Sequence, residues 1–151
     1  MTILNFDNGE PFATGAMGYD YRPATKTETT NRIFLEVEIQ GIPTQAVVDT
    51  GAPYVICSPN VAFDAGVDRV TALRSETMLI RGMRLDGLLF RLNVKLKAEV
   101  GEYLDVDATV FVPDSAELWG NFPSFIGLGG FLERIRFALD PNNDTFYFGQ
   151  L

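Results

Sequence analysis

Asp49 stands in the run Ala46-Val47-Val48-Asp49-Thr50-Gly51-Ala52, a single carboxylate between a β-branched apolar pair and a tight polar tripeptide. An acid set between two apolar strands is unlike a surface acid, because burial and neighbouring charges there govern its protonation. Gly51 leaves room for a second backbone or a substrate to come close. The plainer alternative is an ordinary turn in which Asp49 caps the backbone and Gly51 supplies a positive φ. The chain contains no histidine. Ser-His-Asp and Cys-His catalysis and all histidine-ligated metal sites are thereby excluded, and hydrolytic chemistry falls to carboxylates.

Other patterns carry less. Gly127-Leu128-Gly129-Gly130 is superficially a dinucleotide loop, but Leu132 takes the place of the third glycine and no second βα unit follows. Asp140, Asn142 and Asp144 have calcium-loop spacing, yet Thr145 replaces the glycine and Leu151 the closing glutamate, so a solvated turn is expected and no metal. Cys57 is the only cysteine and reads as a buried side chain of an apolar strand. No cofactor motif remains.

The elements that must hold Asp49 are mostly strands. Ile33, Leu35, Val37 and Ile39 alternate with Phe34, Glu36, Glu38 and Gln40, which predicts a half-buried strand turning at Gly41-Ile42-Pro43 into a return strand, Thr44 to Val48. Ala52 to Cys57 is again apolar and β-prone. Ser58-Pro59 is an N-cap followed by proline, opening a short helix over 60–65 that stops at Gly66. Residues 76–82 and 87–98 predict a long hairpin around Met83-Arg84-Leu85-Asp86, and 104–112 a further strand. Pro113 to Pro123 is a loop carrying the lone Trp119, 127–133 one short helix, and 136–139 and 145–148 the last two strands about a Pro141-Asn142-Asn143 turn. Residues 1–31 form an irregular N-terminal arm with room for one strand, and 32–151 a single domain.

Composition agrees with a folded chain: 46% of 151 residues are hydrophobic and 21% charged. The formal net charge of -8 would repel a phosphate backbone, so nucleic acid is an unexpected partner. Charges interrupt every apolar run before it reaches the ~20 residues of a membrane span. With one cysteine and no secretory pattern at Met1 to Asp7, a reducing, cytoplasmic location is expected. By the same reasoning Asn143-Asp144-Thr145 is expected to stay unglycosylated.

Val47-Val48-Asp49-Thr50-Gly51-Ala52, continued by Tyr54-Val55-Ile56, resembles the active-site signature of the retropepsin-like aspartic peptidases, especially the bacterial single-domain type. Phe125-Ile126-Gly127 followed by Phe131-Leu132 resembles the family's second element, and Leu79-Ile80-Arg81-Gly82 with Gly87-Leu88-Leu89-Phe90 resembles the two arms of its flap. The resemblance runs from about Ile33 to Phe148. It implies a mostly β half-barrel with one or two short helices, dimerising to complete the active site. It implies an endopeptidase acting on peptide or protein substrates, with Asp49, Thr50 and Gly51 catalytic and with Ala52, Ile80, Arg81, Gly82, Ile126 and Gly127 binding substrate, to which the charge order described below adds Arg84. The chemistry needs two carboxylates sharing a proton, and only one Asp-Thr-Gly is present. The resemblance therefore implies a homodimer in which each subunit supplies one Asp49, Thr50 bonds across the two-fold axis and the Gly51 backbone lines the pair. The alternative is a catalytically inactive dimerisation or peptide-binding module of the same fold.

Charge order adds one further expectation. Residues 69–97 hold Arg69, Arg74, Arg81, Arg84, Arg91, Lys95 and Lys97 against Glu76 and Asp86, while 98–117 hold acids alone. Two strand faces that pair with each other account for this, and Arg81 with Arg84 near the flap tip could also favour acidic substrates. The apolar ending Phe146-Tyr147-Phe148-Gly149-Gln150-Leu151 suggests burial between subunits.

Overall fold

The computed structural model describes residues 3–151, and Met1 and Thr2 of the N-terminal arm lie outside them. The arm is more regular than its composition suggests. It carries two short strands, β1 (Gly15–Gly18) and β2 (Asp20–Pro23), which pair with elements far away in sequence or in the next hairpin.

The alternating run forms β3 (Asn31–Ile39), which returns as β4 (Ile42–Asp49) through Gln40 and Gly41. Both turn residues have positive φ, 49° and 83°, the two-residue geometry whose twist suits a hairpin. Ile42 and Pro43, expected in the turn, are already in β4. After the Asp49 loop come β5 (Val55–Ile56) and α1 (Pro59–Asp64). Ser58 stands at the N-cap of α1 without a side-chain cap. Its N–H instead donates to Ser124 Oγ at 3.0 Å, and Gly66 ends the helix at positive φ.

A 3-10 turn at Arg69–Thr71 leads into β6 (Arg74–Ile80) and the long β7 (Met83–Leu96). Their turn is Arg81-Gly82, again at positive φ (53° and 76°), so residues 83–86 belong to β7 rather than to the loop expected for them. Then follow β8 (Val100–Gly101), β9 (Leu104–Pro113), a single helical turn α2 (Ala116–Trp119) and β10 (Ser124–Gly127). The expected helix over 127–133 is a correction: Gly130 turns at φ 73° and only Leu132–Arg134 is helical, as one 3-10 turn. The chain closes with β11 (Ile135–Asp140) and β12 (Thr145–Gln150).

The strands make two sheets. One has the order β11-β12-β1-β8, the other β2-β3-β4-β10-β5-β9-β7-β6, and the larger closes on itself because β3 also pairs with β7. β12 is thus bordered on both sides by strands of its own chain. Phe146 and Phe148 are fully buried there by strands of their own chain, while Leu151 at the end is exposed.

Two apolar clusters fill the molecule. Leu35, Val55, Phe90, Val110 and Ile126 face one, and their chain neighbours Phe34, Ile56, Leu89, Phe111 and Phe125 face the other. These strands are buried on both faces, which corrects the placement of Phe34 on a polar face of β3. The complementary charge blocks meet where β7 pairs with β9: Lys95 stands opposite Asp105, and Arg91 reaches Asp107 at 3.9 Å.

Candidate functional site

β4 ends at Asp49 because the chain then turns sharply: the Ala52 N–H donates to the Asp49 carbonyl at 3.1 Å. Within the turn the Gly51 N–H donates to Asp49 Oδ1 at 2.9 Å. The capping half of the plain turn reading is therefore present. Its glycine half is not, since Gly51 is absent from the positive-φ glycines. A β-carbon on Gly51 would instead come 3.2 Å from Asp49 Oδ1, so glycine keeps space beside the carboxylate.

The loop is buttressed by β10, which lies parallel to β4 with Phe125 opposite Val47, Ile126 opposite Val48 and Gly127 opposite Asp49. The Leu128 N–H donates to the Ala52 carbonyl at 2.9 Å. A β-carbon on Gly127 would overlap the carbonyls of Tyr54 and Ala52, so this contact admits only glycine. Ile126 is fully buried and Gly127 buried. They hold the loop from behind and do not face the cleft.

In front of Asp49 lies a cleft of about 250 Å³ lined by Arg32, Asp49, Gly51, Ala52 and Phe125 and by Met78, Leu79, Ile80 and Arg81 of the β6-β7 hairpin. Met78 and Ile80 are buried against the cluster that contains Ala52 and Phe125, which lays the hairpin over the acid. Of the residues expected to bind substrate, the fold brings Ala52, Ile80 and Arg81 together at this cleft. Gly82 turns the hairpin next to Arg81, and Arg84 stands opposite Leu79, exposed and outside the lining. Thr50 is exposed beside Asp49.

Two features escaped the sequence. The loop from Pro113 to Pro123 is an aromatic platform: Phe122 stacks on Phe125 at 5.3 Å, and Trp119 meets both edge-on. Trp119 is buried, and its Nε1–H donates to the Phe122 carbonyl at 2.7 Å. The second is Arg32, whose Nη2 lies 3.8 Å from Asp49 Oδ2. No local pattern around Arg32 signals this, because the contact depends on where β3 runs beside β4.

Cys57, close to the loop in sequence, is fully buried, and burial pushes its thiol up to about 12, so it stays an inert thiol. Asp140 accepts from the Asn142 N–H and from Asn143 Nδ2, both at 2.9 Å, which makes 140–143 a self-bonded turn. Among the described residues no group of three or more acidic or cysteine side chains is placed to hold a metal, and no helix is long and apolar enough to cross a membrane.

No family sequence model and no curated protein matches the chain. Solved structures do. A retropepsin-like aspartic protease from Rickettsia conorii superposes with a TM-score of 0.55 at 18% identity, covering 90% of this chain and 96% of that one. The retroviral protease-like domain of Ddi1 from Leishmania major superposes with a TM-score of 0.53 at 19% identity, covering 78% of this chain and 94% of that one. With an Asp-Thr-Gly loop held between β4 and β10 under a hairpin, this chain has the retropepsin-like fold.

Proposed function

We propose that the protein is an aspartic endopeptidase that works as a homodimer, each subunit contributing one Asp49. The observation that carries this is the position of Asp49 on the floor of a cleft roofed by the β6-β7 hairpin. One carboxylate activates a water and the other protonates the substrate carbonyl, and the pair must share a proton to do both. One chain brings one such acid, so the site is complete only with a second copy. Thr50, exposed beside Asp49, bonds across the axis, and the Gly51 backbone lines the pair. Ala52, Ile80 and Arg81 contact the peptide, while Gly82 shapes the hairpin that closes over it.

Cleavage of a mixed peptide library, read by mass spectrometry from acidic to neutral pH, tests the reading. The wild type should cut and Asp49→Ala should not. A folded wild-type dimer that cuts nothing anywhere in that range would sink it.

The Arg32–Asp49 contact favours a second reading, because a guanidinium 3.8 Å from Asp49 Oδ2 competes for the space that a second carboxylate or a water would need there. On that reading the cleft binds extended peptides without cutting them. Peptides recovered intact on the wild type, and lost on hairpin variants, would identify it.

A further inference from the structure

Arg32 is held between two acids and hydrogen-bonded to neither. Its Nη2 lies 3.8 Å from Asp49 Oδ2 and its Nη1 4.0 Å from Glu28 Oε2, both beyond hydrogen-bond length. Glu28 Oε2 is itself buried and has no hydrogen-bond partner among the described residues. The guanidinium also lies 5.9 Å from the Phe125 ring centroid, over the aromatic platform. The side chains of Arg32 and Asp49 are 29% and 36% exposed, so the pair is open to solvent in the cleft and not sealed in the core.

This position matters once two chains meet. Asp49 Oδ1 accepts from the Gly51 N–H of its own loop, and Oδ2 accepts no hydrogen bond among the described residues. Arg32 stands at Oδ2. Whatever brings two Asp49 side chains together therefore also brings two guanidiniums, and a site of two like charges becomes one in which each acid has a cation beside it. Two carboxylates in a shared site repel unless one is protonated or a cation is near. Glu28 Oε2, 4.0 Å from Nη1, stands on the other side of each guanidinium.

We propose that Arg32, flanked by Glu28, is a positioning residue for the Asp49 pair: it offsets the repulsion between the two carboxylates and so sets how tightly two chains assemble over the site. This rests on the homodimeric reading above. It uses a charge contact within one chain to tune a contact between two.

The test is a double-mutant cycle on dimer affinity, measured by sedimentation at neutral pH for the wild type, Arg32→Met, Asp49→Asn and the double variant. Arg32→Met should weaken the dimer roughly tenfold when Asp49 is present and clearly less in the Asp49→Asn background, because the charge it offsets is then gone. Arg32→Lys should recover most of the loss, and raised salt should shrink the difference. Unchanged thermal unfolding of Arg32→Met separates this from misfolding, and Arg32→Lys remains informative if that variant is damaged. Equal losses in both backgrounds, or none, would overturn the proposal while leaving the dimer intact. A wild type that stays monomeric at every concentration overturns the homodimeric reading as well.

Discussion

The guanidinium of Arg81 lies 3.6 Å from the ring centroid of Phe122, so the tip of the β6-β7 hairpin is pinned flat on the aromatic platform beside the cleft. A stacked guanidinium keeps its in-plane N–H donors free for a carboxylate. Arg81 makes no ion pair among the described residues. Arg81→Ala is therefore expected to reduce turnover of peptides with an acidic side chain roughly tenfold relative to neutral ones. Arg84→Ala should leave that ratio alone, since Arg84 lies outside the lining. Library profiling of both variants checks this, and an equal effect from the two would place the acid-binding group elsewhere.

Gly127 offers a test of how the Asp49 loop is held. Gly127→Ala forces a methyl group against the Tyr54 and Ala52 carbonyls and must push β10 away from the 52–54 segment that follows Asp49. The expected cost is roughly 1–3 kcal/mol from overpacking, seen as a Tm lower by several degrees. Any proteolytic activity should fall further than stability does, because the displaced backbone adjoins Asp49. Gly41→Ala is the control: nothing lies within 4 Å of its β-carbon, and its cost comes from positive φ alone.

Removal of residues 144–151 takes away β12, the strand between β11 and β1. Phe146 and Phe148 leave with it, and each large aromatic lost from a core costs roughly 3–5 kcal/mol. The shortened chain should be unfolded by circular dichroism at every concentration. A folded monomer would instead support the idea that this strand serves subunit contact.

The pair of Glu38 on β3 and Lys97 just after β7 gives a pH signature. Lys97 Nζ lies 2.6 Å from a Glu38 oxygen. The side-chain hydrogen bond from Lys97, aided by its charge, holds the Glu38 carboxyl below its usual range, and the same bond raises Lys97. The Glu38 contribution is complete above the ordinary glutamate pKa of about 4.3 and is lost as pH falls through the lowered folded value. The Lys97 contribution is complete below the ordinary lysine pKa of about 10.4 and is lost as pH rises through the raised one. Lys97→Met should therefore lower Tm at neutral pH by a small amount and match the wild type in strong acid. A constant difference across the acid range would assign the effect to packing.

Much of this is written locally in the chain. The alternation of Ile33, Leu35, Val37 and Ile39 places β3, and the apolar pairs around Asp49 place the loop, because period and composition act within a few residues. What escaped depends on distant partners. Gly15-Ala16-Met17-Gly18 has no strand signature, and it is a strand because β8 and β12 border it. Phe34 looks misplaced in its alternation until Val47 and Phe125 appear on the other face. The hairpin tip falls earlier than expected because Arg81-Gly82 makes a two-residue turn, where the four residues after it offer a longer one. Arg32 carries no mark of its role at all.

The placement of β10 between β4 and β5 has a consequence in time. Residues 124–127 fill a gap flanked by strands made far earlier, and without them the loop after Asp49 has no neighbour on that side. During synthesis the acid and its hairpin emerge first, but the wedge that sets their spacing emerges last among the parts of the site. A nascent chain of this topology cannot finish the Asp49 loop until residues 124–127 have left the ribosome, so the order of its strands fixes when the site takes shape.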